Sequence, residues 1–589
     1  MTKHPFEEFL DVFVPKVAKK SRQLNKAVWL LETTGSADAA ELKAELDAEV
    51  RLMYNDSKTY EKLLDWDKDS ALKDPLLKRQ LNVLIRAFKQ NMIPPKLLGE
   101  IVQKEASLAQ VCANFRPEVD EKKLSENEIL EILKTETQPT RRKKIWEASK
   151  EVGEALAPQI LQLVDLRNEA ARAMGYADYF QMSLELQEVD SRWLKQIFDE
   201  AAAKADKAYS AVINEIEEKQ STMYGVPKNE LGPWAWTDPF GQEDPLDRTD
   251  LDALVAGVDI SAASRSFYEK MGLDVQPILD RSDMHERPGK NQHAFCLNID
   301  RESDVRTLNN VQSTIKWMET VLHELGHAVY DLGFDKTLPW LLREPPHTMP
   351  TEAMALLAGR QAYRYEALKE LVGHSEARER TQKILPSGLC QSPGDSTIDN
   401  GGSINLIQPP LSIADPRELS HQPGRQNLLS TLPKEPLLKK ADQILQRSLQ
   451  RRQLIFSRWA LVMTFFESEL YRDPKQDLNR LWWSTVEKYQ KIHMPTGREG
   501  KCDWAAKVHI GLSPVYYFSY LLGEMFASVI EETLVQQTGS RDLTSEKAGL
   551  FLQQKLFSPG NSMPWSQLVE HVSGKPLSPE AWIAQFARY

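Results

Sequence analysis

Apolar residues recur three and four positions apart along most of the chain, with charged residues between them. Two long stretches, residues 40–64 and 192–219, combine this spacing with Ala, Glu and Lys, which favour helices. The charged positions fill the opposite faces, so we expect exposed amphipathic helices rather than one long coiled coil. The pattern predicts a mainly α fold.

Three regions depart from this pattern. Residues 228–250 are rich in Pro, Gly and Trp, which predicts an ordered connection. Residues 290–300 alternate in a way that predicts a short strand, with His293 and Phe295 on the same face. Residues 386–437 lose helical periodicity and fill with Ser, Pro, Gly, Asn and Gln. We expect this last region to be a disordered surface insertion with no catalytic role.

Composition and charge exclude several classes of protein. The 589 residues carry a formal net charge of -11, which leaves no basic excess to neutralise nucleic-acid phosphates. No apolar run approaches the roughly 20 residues of a membrane span, and acidic residues interrupt the N-terminal segment where a signal peptide would be apolar. The four cysteines are isolated, without a CxxC pair. We therefore expect a cytoplasmic protein with no nucleic-acid, membrane or obligate protein partner.

The clearest chemistry lies in residues 314–334, TIKWMETVLHELGHAVYDLGF. Apolar residues recur there at helical spacing, which predicts a helix that ends near Gly333. On that helix His323 and His327 project from one face, so both imidazoles can bind one zinc ion. Glu324 lies beside the first histidine, where it can take a proton from a water at the metal. This HExxH pattern predicts a zinc hydrolase with one Zn2+ per chain.

The third ligand should be a His, Asp or Glu on a second helix. In LREPPHTMPTEAMALLAG we predict a helix start at Pro350 and Thr351, with Glu352 in the first turn. A carboxylate at the start of an otherwise apolar helix favours a nearby cation, so Glu352 is the predicted ligand. His347, in a proline-flanked turn, and Glu344 are weaker alternatives.

Three blocks of the chain together resemble the angiotensin-converting-enzyme (peptidyl-dipeptidase A) family of zinc metallopeptidases. They are HELGH followed by LRE and TEAMALLAG, then His293-Ala294 thirty residues before the first histidine ligand, and AAKVHIGLSPVYYFSYLLGEMFAS. The resemblance runs from about residue 125 to the C-terminus, without the insertion. It implies one peptidase domain over residues 1–589, elongated and two-lobed, with a deep central channel and short strands beside the zinc. It also implies that helices of residues 1–120 form a lid.

The same resemblance implies roles for individual residues. His509 and Tyr520 would act in catalysis with Glu324, and Tyr520 would donate its hydroxyl to the developing oxyanion. The residues implied for substrate binding are His293, Ala294, Lys507 and Tyr517. Whether Tyr516 or Tyr517 contacts the substrate stays open, because the spacing from His509 is one residue longer than in the family.

One position near the third ligand departs from the family. Leu356 stands where the family carries an acidic residue that orients a zinc histidine. We therefore expect either another carboxylate in that role or a looser site.

The activity implied is hydrolysis of short peptides with release of C-terminal dipeptides. A lysine ammonium at a fixed distance from the metal would select chains that end there. Three alternatives remain: an endo-oligopeptidase of the thimet-oligopeptidase type, a metallocarboxypeptidase that releases single residues, and a catalytically silent binding protein on a peptidase fold.

Overall fold

The computed structural model describes residues 3–246, 251–372 and 434–588. Over these ranges the chain is mainly α-helical, as the sequence predicts, and contains two short antiparallel strand pairs. The helices are α1 (Pro5–Thr34), α2 (Ala37–Tyr54), α3 (Ser57–Asp67), α4 (Pro75–Asn91), α5 (Pro95–Asn114), α6 (Glu126–Thr135), α7 (Pro139–Lys150), α8 (Val152–Ala173), α9 (Tyr179–Leu186), α10 (Ser191–Tyr224), α11 (Ile260–Lys270), α12 (Gln276–Leu279), α13 (Ile315–Leu332), α14 (Thr348–Gly359), α15 (Tyr365–Val372), α16 (Lys434–Arg472), α17 (Leu478–Gln490), α18 (Val508–Leu512), α19 (Phe518–Thr538), α20 (Glu546–Leu552), α21 (Trp565–Ser573) and α22 (Glu580–Phe586). The strands are β1 (Glu118–Val119), β2 (Lys122–Lys123), β3 (Phe295–Asn298) and β4 (Val305–Leu308).

Capping residues decide where the predicted helices begin and end. The stretch 192–219 lies within α10, which runs from the Asp190 cap to Gly225 in the left-handed conformation. The stretch 40–64 is two helices rather than one, because the Asp56 carboxylate accepts the Lys58 backbone N–H and starts α3.

A separate apolar cluster holds the N-terminal helices together. It includes Phe6, Leu63, Leu84 and Phe88 and reaches Leu341. Helix α1 also meets the region of β3, where the Asn25 side-chain amide donates to the carbonyl of Asn298 at 3.0 Å. The proposed lid role of residues 1–120 stays a prediction.

The second strand pair lies beside helix α13. Phe295 in β3 is opposite Leu308 in β4. The strand is therefore shorter than the predicted 290–300, and His293 and Ala294 precede it. Because the pairing begins at Phe295, the backbone groups of His293 and Ala294 form no hydrogen bonds within this sheet.

The remaining regional predictions fall partly outside the described residues. Residues 386–433 of the predicted insertion are outside them, whereas the last four residues, 434–437, lie at the start of α16. The predicted connection 228–250 contains short 3-10 turns at Lys228–Glu230 and Pro233–Ala235, and its residues 247–250 are also outside.

Two chemical features of the described ranges bear on the earlier expectations. Cys112, Cys296 and Cys502 are free thiols. Within the same ranges, every helix is too short or too polar to cross a membrane.

Helix α14 lies between α13 and α19, and glycines permit the close packing on both sides. A Cβ at Gly326 of α13 would lie 2.8 Å from the Cα of Ala355 in α14. A Cβ at Gly523 of α19 would lie 3.1 Å from the Cβ of Glu352. Both distances are tighter than ordinary carbon contacts, so the α14 backbone can sit this close only because these positions lack side chains.

Gly326→Ala should push α13 and α14 apart. Overpacking of this kind costs about 1–3 kcal/mol of unfolding free energy, offset in part by about 1 kcal/mol of better helix propensity. We expect a lower melting temperature and weaker metal binding, measured by thermal unfolding and chelator competition. Gly359→Ala is the control, because its Cβ would meet its nearest atoms at 3.4 Å. Equal effects of the two variants would contradict the packing argument.

Candidate metal centre

Helices α13 and α14 bring His323, His327 and Glu352 together. The two imidazole Nε2 atoms are 3.2 Å apart, because the histidines are one turn apart on one face of α13. Glu352 Oε2 lies 3.7 Å from His323 Nε2 and 3.9 Å from His327 Nε2. These are two nitrogens and one oxygen around a common point, the donor types that zinc takes in catalytic sites.

The third donor is buried, and one of its oxygen atoms lacks a hydrogen-bond partner. Glu352 is 5% exposed, and its Oε2 atom has no hydrogen bond among the residues described. A buried carboxylate oxygen in this position is stable when a cation lies next to it. The donor set therefore fits a metal ion.

Burial sets the protonation of these groups. Burial lowers the pKa of His323 to about 4, although the charge of Glu319 acts to raise it. Burial also lowers the pKa of His327 well below its usual value. Both imidazoles are thus neutral at pH 7, as metal ligands must be. Burial and then the nearby Glu524 raise the pKa of Glu352 to about 8. A bound cation would reverse that shift, because it stabilises the carboxylate form.

Glu324 lies on α13 beside the donors and is 7% exposed. Burial, followed by the charge of Glu352, raises its pKa to about 8. A carboxyl group with such a pKa can hold and release a proton near neutral pH, as a general base must.

The weaker candidates for third ligand have other partners. His347 caps helix α14, with its Nδ1 atom accepting the backbone N–H of Met349 at 2.9 Å. This cap starts the helix at Thr348, earlier than predicted, so Glu352 lies beyond the first turn. Glu344 forms an ion pair with Arg301 instead.

The tyrosines at the start of α19 divide into two positions. Tyr516 lies beside Glu352, whose charge adds to burial in raising the pKa of the Tyr516 hydroxyl, and its ring contacts that of Tyr520 with centroids 5.3 Å apart. Tyr517 instead packs against Trp459 and near Lys507, whose Nζ is 5.6 Å from the Tyr517 ring centroid. Of the two residues that the sequence leaves open, Tyr517 is the one beside Lys507.

Burial raises the pKa of Tyr520, so its hydroxyl stays protonated and can donate.

A strained turn lies between His509 and these tyrosines. Val515 has φ 55, in the left-handed region that β-branched residues rarely adopt. Its backbone N–H donates to Glu467 Oε1 at 3.0 Å, and this buried hydrogen bond helps to hold the turn.

Lys507 and His509 both lie beside Tyr517. Lys507 is 8% exposed, and its ammonium donates to Gln242 Oε1 at 3.2 Å. The His509 ring is 5.3 Å from the Tyr517 ring. Burial, then the charges of Lys507 and His293, lower the pKa of His509 to about 4. Of the residues that the resemblance implies for catalysis and substrate binding, Lys507, His509, Tyr517 and Tyr520 therefore lie together.

Comparisons with known proteins found similar sequences in two peptidase families. Residues 2–225 match the model of the angiotensin-converting enzyme family, peptidase M2, and residues 422–588 match that of peptidase family M3. The chain is 23% identical to angiotensin-converting enzyme of Sus scrofa, over 74% of this chain and 31% of that protein. It is 22% identical to angiotensin-converting enzyme-like protein Ace3 of Mus musculus, over 78% of this chain and 59% of that protein.

These matches support an angiotensin-converting-enzyme-like metallopeptidase family. The chain spans between about a third and three fifths of the length of these two relatives. The two family matches leave out residues 226–421, which contain the HExxH segment and Glu352. The geometry of the donors is thus independent support for the metal centre in this angiotensin-converting-enzyme-like chain.

The partners of the two histidines were not identified from the sequence. His327 Nδ1 lies 2.8 Å from the Thr351 hydroxyl, so the expected carboxylate is replaced there by an alcohol. Leu356 instead lies against α19 at Gly523. His323 has a carboxylate neighbour in Glu319, one turn earlier on α13.

Glu319 is fixed by groups from other helices. Arg452 donates to its Oε2 atom at 2.7 Å, and the Tyr363 hydroxyl lies 3.2 Å from the same atom. Burial alone would raise the pKa of Glu319, but Arg452 and Lys316 lower it to about 2. The spacing of four residues between Glu319 and His323 could have indicated this neighbour from the sequence, whereas the contact with Arg452 could not.

Thr351→Val should weaken the metal centre while leaving the fold intact. With Nε2 on the metal, His327 Nδ1–H donates to the Thr351 hydroxyl, and loss of such a partner lowers metal affinity by about 10–100-fold. Chelator competition at pH 7 measures this change. Thr348→Val, one turn earlier on α14, is the matched control. If Thr351→Val bound the metal as tightly as the control, the hydroxyl would have no orienting role.

Proposed function

We propose that the protein is a zinc-dependent peptidase that hydrolyses short peptides and releases C-terminal dipeptides. The observation that carries the proposal is that the chain has two sets of residues: the metal donors with Glu324, and a buried cation, Lys507, beside Tyr517. Peptide hydrolysis needs the metal donors and Glu324, and recognition of a free C-terminus needs the cation.

The residues of the chain can divide the work as follows. A zinc ion held by His323, His327 and Glu352 would lower the pKa of a water and polarise the scissile carbonyl. Glu324 takes the proton of the attacking water and passes it to the leaving amine. Tyr520 donates its hydroxyl to the oxygen that becomes negative in the transition state.

The C-terminal carboxylate of the substrate would bind Lys507. Gln242 accepts a hydrogen bond from that ammonium through Oε1, which leaves its side-chain N–H groups available to a carboxylate. His293 and Ala294 lie outside the β3–β4 pairing, and the His293 N–H donates to Asn291 Oδ1. The His293 carbonyl and the Ala294 backbone would bind the peptide as an added strand. Because Lys507 is fixed relative to Tyr517 and Tyr520, it would set the number of residues released.

A second candidate is an endo-oligopeptidase, favoured by the match of residues 422–588 to peptidase family M3. That segment contains His509 and the tyrosines. An endopeptidase would not need the substrate terminus, so the two functions differ in their response to a blocked C-terminus.

Mass spectrometry of one decapeptide, as free acid and as C-terminal amide, separates the candidates. We expect dipeptide release from the free acid, loss of this activity with a chelator, and at least about tenfold slower cleavage of the amide. Lys507→Met should reduce kcat/KM for the free acid to a similar extent, whereas Lys501→Met, with an exposed lysine six residues earlier, should not. Equal cleavage of acid and amide would favour the endo-oligopeptidase.

Glu324→Gln should bind zinc but lose turnover. Removal of a general base lowers kcat by about 10²–10⁴-fold, while the donors themselves are unchanged. Zinc content by atomic absorption and kcat on the same decapeptide give the two readouts. Glu532→Gln, an exposed change on α19, is the control. A Glu324→Gln enzyme with normal kcat would rule out this mechanism.

A further inference from the structure

A second lysine lies beside Lys507. Lys150, the last residue of α7, is 3% exposed. The N-terminal turn of α8 follows it directly and packs against the segment that leads into Lys507, since a Cβ at Gly153 would lie 3.2 Å from the backbone nitrogen of Ala506. This close approach brings the two lysines to one place although they are far apart in sequence.

The two ammonium groups share one aromatic ring. Lys150 Nζ is 3.3 Å from the centroid of Phe240, and Lys507 Nζ is 5.2 Å from it. The distance between the two nitrogens is therefore less than the sum of these values. Two carboxylates of one amino-acid residue can span such a separation.

Lys150 has no anionic partner within the described ranges. Its ammonium forms neither a hydrogen bond nor an ion pair there, and lies 3.3 Å from the ring centroid of Phe240 and 5.6 Å from that of Trp146. A charged group this deeply buried is normally paired, because transfer of a lone charge from water is costly.

The two acidic residues whose charges act on Lys150 are already engaged. Asp503 forms an ion pair with Arg498. Asp238 accepts the backbone N–H groups of Phe240, Gln242 and Glu243. Neither carboxylate is within ion-pair distance of Lys150, so its charge is left for a ligand.

We propose that Lys150 binds the side-chain carboxylate of a C-terminal Asp or Glu residue of the substrate. This inference rests on the proposed function, in which Lys507 and Gln242 hold the terminal carboxylate. The enzyme then selects peptides that end in an acidic residue, and Lys150 is a specificity-determining residue.

The electrostatics around Lys150 agree with this assignment. Burial lowers its pKa to about 7; Asp503 and Asp238 oppose that effect, and Lys507 and Arg498 add to it. A carboxylate bound beside the amine raises the pKa again. Binding of an acidic C-terminus at pH 8 is therefore accompanied by proton uptake at Lys150.

The test compares two free-acid peptides that differ only in the last residue, Glu or its isostere Gln. For the wild-type enzyme we expect kcat/KM to favour Glu by about tenfold or more, the effect of one charged hydrogen bond in a buried site. Lys150→Met should bring the ratio to about one and leave the Gln peptide within about twofold of wild type. Lys150→Arg should retain a preference for Glu.

Lys143→Met, an exposed change on the same helix, is the matched control and should keep the wild-type ratio. Thermal unfolding checks the fold of Lys150→Met, which removes an unpaired charge and should not lower the melting temperature. Calorimetry of both peptides with Glu324→Gln, in two buffers of different ionisation enthalpy, measures affinity and proton uptake without turnover.

The outcomes separate this inference from the proposed function. A wild-type ratio near one, or equal slowing of both peptides by Lys150→Met, overturns the role of Lys150. Products other than C-terminal dipeptides overturn the proposed function, while the ratio of Glu to Gln still reports on Lys150.

Discussion

The close packing of α14 between α13 and α19 is the constraint on which the centre depends. Glu352 can lie within 4 Å of both histidines because Gly326 lets the α14 backbone approach α13. On the other side, Gly523 leaves room for the Glu352 side chain itself. The metal donors are therefore placed by backbone contacts in the core, which are stiffer than contacts between loops.

This packing also buries several acidic groups together, and the chain neutralises them in different ways. Glu524 is paired with Arg360 and accepts a hydrogen bond from Gln453 at 2.8 Å. Glu352, in contrast, has an Oε2 atom without a hydrogen bond among the described residues. The protein thus provides hydrogen-bond partners for Glu524, whereas Glu352 is left for a cation. Without that cation, burial keeps Glu352 protonated at neutral pH, so metal binding and proton release are coupled.

The features that could be predicted from the sequence are those formed by residues close together along the chain. The α13 motif needs only residues within one turn of each other, so His323, Glu324 and His327 could be placed from periodicity. The start of α14 was misplaced because a histidine, His347, provides the cap, which composition does not indicate. Thr351, Gln242 and Lys150 could not be found, since their partners are either on another helix or hundreds of residues away. Only the fold brings such groups together.

The burial of both lysines decides at what range an acidic C-terminus would be recognised. The chain carries a net charge of -11, so an anionic peptide gains no attraction from the protein at distances beyond the Debye length of about 10 Å. Lys150 and Lys507 act instead at short range, in a region of low dielectric where each charge interaction is stronger than in water. Discrimination between Glu and Gln at the C-terminus would then appear in dissociation of the bound peptide rather than in its association.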